Sequence, residues 1–162
     1  MSIRPIFLTS TALTIVITVY PSLLGAAEQT AAPVVKNLSE EKLEHSPGLP
    51  SCAIIAVLSG DPLKGASVIE AKATSGCRIP WHWHSSNEHV MMVSGVGKME
   101  MKDAKPATLR SGAYAMMPAH HAHQFTCTAS CTMFLYSDGV FDTHYVDASG
   151  NEISATDALK TK

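Results

Sequence analysis

Six of the eight histidines in this 162-residue chain fall between positions 82 and 123, in two groups. The first is Pro80-Trp81-His82-Trp83-His84-Ser85-Ser86-Asn87-Glu88-His89, and the second is Pro118-Ala119-His120-His121-Ala122-His123. Side chains alternate along an extended strand, so His82 and His84 face one way and Trp83 the other. Two imidazoles on one face, with the Glu88 carboxylate arriving from the next turn, can meet at a single ion. Imidazole suits Mn, Fe, Co, Ni, Cu and Zn, and a carboxylate beside it keeps Mn and Fe in play.

The elements that must position these groups read as strands. From Cys52 onward, short runs rich in Val, Ile, Met, Thr and Tyr alternate with Gly, Pro, Asp and Ser punctuation, the pattern of an all-β sandwich or barrel. Strands are predicted over Cys52–Leu58, Ser67–Ala73, Arg78–His84, His89–Val93, Gly97–Met101, Gly112–Met117, Gln124–Thr126, Thr132–Tyr136 and Thr143–Val146, with 102–105 as a turn. Helical signals are confined to a short turn from Ser39 and a cap at Ser154 before Ala158-Leu159-Lys160. Residues 28–50 are polar and proline-spaced, and read as an irregular N-terminal arm.

The spacing of the two histidine groups resembles that of the cupin superfamily. Gly76, five residues, His82-x-His84, three residues, Glu88, six residues and Gly95 match its first motif. Gly112, five residues, Pro118 and then His123 match its second. Two positions depart from the pattern: His120 stands where the family usually has Gly, and Cys127 where it usually has Asn. Within the superfamily the chain is similar to small exported bacterial single-domain cupins that share the Gly60-Asp61-Pro62 turn, Glu88-His89-Val90 and a terminal Tyr145-Val146.

The resemblance implies an RmlC-like jelly-roll (double-stranded β-helix) barrel over residues 51–147, followed by a C-terminal tail over 148–162. It implies one divalent transition metal, Fe, Mn, Ni or Zn with Cu less favoured, held by His82, His84, Glu88 and His123. Glu88 is also the candidate acid/base group, and His89 its competitor. Barrel exteriors in the family pair into dimers, so a homodimer is expected, with Trp81 and Trp83 turned away from the metal toward packing. The implied activity is that of a metal-dependent enzyme of dioxygenase, lyase or isomerase type on a small oxygenated organic molecule. The alternative is a non-catalytic periplasmic cupin that binds or senses a metal or ligand.

Residues 1–27 are of another kind. Arg4, the apolar and threonine-rich stretch from Ile6 to Leu24, and Gly25-Ala26-Ala27 have the order of a secretory signal peptide ending before Glu28. The expected location is therefore the periplasm or the exterior, with no membrane segment after cleavage. In that compartment Cys52, Cys77, Cys127 and Cys131 can pair. Cys127 with Cys131 across a tight hairpin and Cys52 with Cys77 is one reading; buried thiols, or a Cys127 thiolate near the metal, are the others. Lys and Arg are scattered singly, and the formal net charge is -2, which leaves no phosphate-binding stripe for nucleic acid. The many methionines, Met91, Met92, Met99, Met101, Met116, Met117 and Met133, are strand residues that fill a core rather than a copper site. With Phe125 they would make the pocket apolar.

Overall fold

The computed structural model describes residues 32–160; the signal-peptide reading of residues 1–27 lies outside them. Within that range the alternating segments form ten strands and one short helix. They are β1 (Ala53–Gly60), β2 (Ser67–Ala73), β3 (Arg78–Trp83), β4 (Glu88–Ser94), β5 (Val96–Met101), β6 (Ala104–Arg110), β7 (Tyr114–Met117), β8 (His123–Cys127), β9 (Cys131–Ser137), β10 (His144–Tyr145) and α1 (Ala155–Ala158). Two five-stranded sheets result, in the orders β1-β2-β9-β4-β7 and β10-β3-β8-β5-β6. Every pairing is antiparallel. This is the all-β fold that the strand pattern predicts, in the jelly-roll form that the resemblance implies.

The register stacks the inward side chains in layers. In the first sheet Ser67, Ser137 and Glu88 stand opposite one another, as do Ile69, Leu135 and Val90, then Ala71, Met133 and Met92. In the second, His82, His123 and Met101 share a row, followed by Ile79, Phe125 and Met99, then Cys127 and Gly97. One polar layer therefore lies above successive apolar ones. The core is built from these rows, including Val90, Met92, Met99, Phe125 and Met133. Gly97 is what lets the Phe125 ring lie inside, since a Cβ there would sit 2.2 Å from the ring.

The predicted turn at 102–105 is a correction. The β5–β6 hairpin is tighter, and β6 starts at Ala104. Lys105 and Pro106 suggest a loop, but β6 is the edge of its sheet, where a proline and charged side chains cost no ladder hydrogen bond. All but two of its residues are exposed and only Leu109 is fully buried, so no alternation marks it.

Both cysteine pairs are disulfides: Cys52–Cys77 with Cα atoms 5.6 Å apart and Cys127–Cys131 at 5.8 Å. They lie together, since the Cys127 amide donates to the Cys77 carbonyl (2.9 Å). That is the barrel end remote from the histidine layer, two rows below His123. Cys127 is therefore not a thiolate beside the histidines.

Candidate metal centre

Each of the four expected residues sits where its element turns it inward. His82 is the penultimate residue of β3, and His84 lies just past its end. Glu88 opens β4 and His123 opens β8. All four are buried, at 6% exposure or less. One ligand atom from each falls within 4.8 Å of the others. Glu88 Oε2 is 3.1 Å from His123 Nε2 and 3.6 Å from His84 Nε2. Among the described residues this is the one group of three or more His, Cys, Asp or Glu side chains compact enough to hold an ion.

The outer nitrogens decide what the inner ones can do. His82 Nδ1 lies 2.6 Å from the Pro80 carbonyl, His84 Nδ1 2.5 Å from the Asp142 carbonyl and His123 Nδ1 2.8 Å from the His121 carbonyl. A carbonyl only accepts, so each Nδ1 carries the proton, and in the neutral ring Nε2 keeps a lone pair. His84 Nε2 and His123 Nε2 are fully buried with no hydrogen bond; their approach to Glu88 is close in distance but out of line. Buried lone pairs left unmatched are costly in a protein interior. Lone pairs converging beside a carboxylate are a donor set that a divalent transition ion satisfies, with the second-layer carbonyls such sites use. The residues present therefore fit a metal.

The electrostatics agree. Burial drives His82 well below the ordinary imidazole range, reinforced by His123 and His84 and opposed by Glu88. Burial also lowers His84, but the contact with Glu88 and the Asp142 carbonyl outweigh it and leave the group raised. Burial alone would raise Glu88; its contacts with His123 and His84 prevail and hold it well below the usual carboxylate range. The carboxylate is ionised and His82 neutral, the forms that ligate.

Other candidate residues fall outside. His89 points to the opposite face of β4, where Nδ1 lies 2.7 Å from the Tyr114 hydroxyl, so it does not compete with Glu88. His120 has φ 60, the left-handed conformation that explains the family's glycine there and that His tolerates better than most residues. Its amide donates to the His84 carbonyl (2.8 Å) and its ring lies 4.7 Å from Trp83. Trp83 also stacks on His144 at 3.9 Å, so its packing is within the chain and away from the metal side.

A cavity of about 360 Å³ opens on the four residues. Its wall includes Tyr145 and also Ser46–Leu49 of the arm, Phe141 and Asp142, which sequence reasoning did not single out. The Tyr145 hydroxyl donates to the Gly48 carbonyl (2.7 Å), holding the arm against the barrel. Asp142 accepts from the Ser85 amide (2.8 Å) and hydroxyl (2.6 Å), which fixes the loop whose carbonyl orients His84. Only the terminal Tyr145-Val146 was marked in the sequence; nothing in Pro47-Gly48 signals proximity to a site.

Comparison with known proteins agrees with this architecture. Residues 71–137 match the cupin domain family. An RmlC-like cupin from Ralstonia eutropha superposes with a TM-score of 0.59 at 18% identity, covering 73% of this chain and 74% of that one. KdgF from Halomonas sp. gives 0.52 at 17% identity, over 66% and 94% of the two chains. A chain from the structures of the DMSP lyases RdDddP and RnDddQII gives 0.56 at 20%, over 65% and 62%. No curated protein sequence matches significantly. The fold is a cupin barrel, and the domain match with these neighbours supports the cupin superfamily.

Proposed function

We propose that this protein is an exported metal-dependent enzyme whose ion is held by His82, His84, Glu88 and His123, and which acts on a small oxygenated organic molecule. The observation that carries the reading is the fixed tautomer of three buried histidines, whose inner nitrogens converge on one carboxylate beside a cavity. A divalent transition ion held there supplies Lewis acidity toward substrate oxygens and, for Fe or Mn, electron transfer to dioxygen. The chain does the rest. The Nδ1–H bonds hold the imidazole planes before any ion arrives, so ligand geometry is preset. Glu88, kept ionised, either ligates or, released, accepts a proton from the substrate. The arm, tied to Tyr145 by the Gly48 carbonyl, forms part of the cavity wall against which a substrate is oriented.

Two disulfides among the described residues support an oxidising compartment, and so the export reading of residues 1–27. The test is turnover by the full-length, metal-loaded protein: dioxygen uptake and substrate loss across a panel of small diols, diketones and hydroxy acids. Turnover lost in Glu88→Gln with the metal retained supports the enzyme. Tight binding without conversion throughout the panel favours a binding or sensing cupin.

A further inference from the structure

We infer that the ligand of this centre has one oxygen-donor head and an uncharged apolar tail, the tail lying below the metal layer between the two sheets. This rests on the metal-centre reading above and extends it to the substrate class. Below the layer of His82, His123 and Glu88, the inward rows contain no charged side chain. Ile69, Leu135, Val90 and Phe125 come first, then Ala71 with Ile55 and Met133. The second row lies about 13 Å below the metal layer, four residues along the strands at roughly 3.3 Å each. Facing β3 and β8, the β1–β2 side carries Ala53, Ala71 and Ala73, whose short side chains leave the space that the cavity occupies.

Charge bookkeeping points the same way. No arginine lines the cavity, and Lys72, the one lysine that does, is ion-paired with Glu70 at 2.9 Å. Asp142 is committed to Ser85 and to His144. A divalent ion with three neutral imidazoles and one carboxylate carries a single net positive charge, which one anionic head neutralises. A second carboxylate, sulfonate or phosphate on the tail would enter an apolar layer without a counter-ion, at the cost of desolvation. A row of hydroxyls would meet no partners there. The site thus selects against sugar acids and polyols, and for a short aliphatic or aromatic chain.

Hydroxamates test this, because they share one metal-binding head. The full-length protein is loaded with Zn or Co, its metal content measured, and the binding of acetohydroxamate, butanohydroxamate, hexanohydroxamate and the ω-carboxylate of the last compared by calorimetry. Affinity should rise about fourfold per added methylene. The ω-carboxylate should bind at least tenfold more weakly than hexanohydroxamate. Ala71→Leu, checked for folding by its melting temperature, should keep acetohydroxamate binding and flatten the length dependence. Metal-loaded protein that binds all chain lengths alike, prefers the carboxylate, or binds none overturns the inference and leaves the metal centre standing. Protein that takes up no metal overturns the centre itself. If Ala71→Leu fails to fold, the wild-type series alone decides.

Discussion

His84 Nδ1 lies 2.5 Å from the carbonyl oxygen of Asp142, 58 residues further along the chain. The loop before β10 thus orients a side chain at the end of β3, and Asp142 is itself anchored by Ser85. Asp142→Ala leaves that carbonyl in the chain but frees the loop. Metal affinity is expected to fall about tenfold, in the range for lost second-layer partners, with native circular dichroism. Competition against a chromogenic chelator measures it.

Tyr145 is 2% exposed and bonds to Gly48, while burial lifts its hydroxyl to about 12, so it stays a neutral donor at physiological pH. Tyr145→Phe removes the bond and strands a carbonyl at the cavity wall. A loss of about 1 to 2 kcal/mol is expected, read by denaturant titration. Proteolysis in the arm should also accelerate.

The motif glycines separate by what presses on them. Gly95 has φ 87, and a Cβ there would lie 2.0 Å from the Ser130 carbonyl oxygen. Gly76 has φ 80 with nothing within 4 Å. Gly76→Ala therefore carries only the left-handed backbone cost, about 1 kcal/mol. Gly95→Ala adds a backbone clash and should cost about 3 kcal/mol. Equal effects in chemical denaturation would contradict the close approach of Gly95 to the Ser130–Cys131 backbone.

An imidazole must be neutral to ligate. His84 is raised above 6.5, so it is the first of the perturbed pair to take a proton as pH falls. His82, well below 6.5, stays neutral, and Glu88, well below 4.5, stays ionised. Metal affinity should therefore be full above the raised His84 value and decline as pH falls through it. Chelator competition between about pH 8 and about pH 6 should show the loss, with no matching loss of fold.

Much of this was legible in the sequence, for a physical reason. Strands with one face in a core write a two-residue period, which puts His82 and His84 on one face; His123 and the full ligand set with Glu88 follow from the spacing that resembles the two cupin motifs. β6 was not legible, because an edge strand with a single fully buried residue has no period to read. Neither were Gly48, Phe141 and Asp142, which reach the cavity through tertiary folding of irregular segments and carry no local pattern. His120 was visible as a departure from the family glycine, but only its backbone angle explains why glycine is usual.

The most direct measurement is the metal content of the protein expressed from its full-length sequence, by elemental mass spectrometry, for wild type, His82→Ala and His123→Ala. The predicted result is close to one equivalent of a divalent transition metal in wild type, lost in both variants while they remain folded. Folded wild-type protein without metal even after reconstitution, or metal retained undiminished in both variants, would contradict the assignment of the centre.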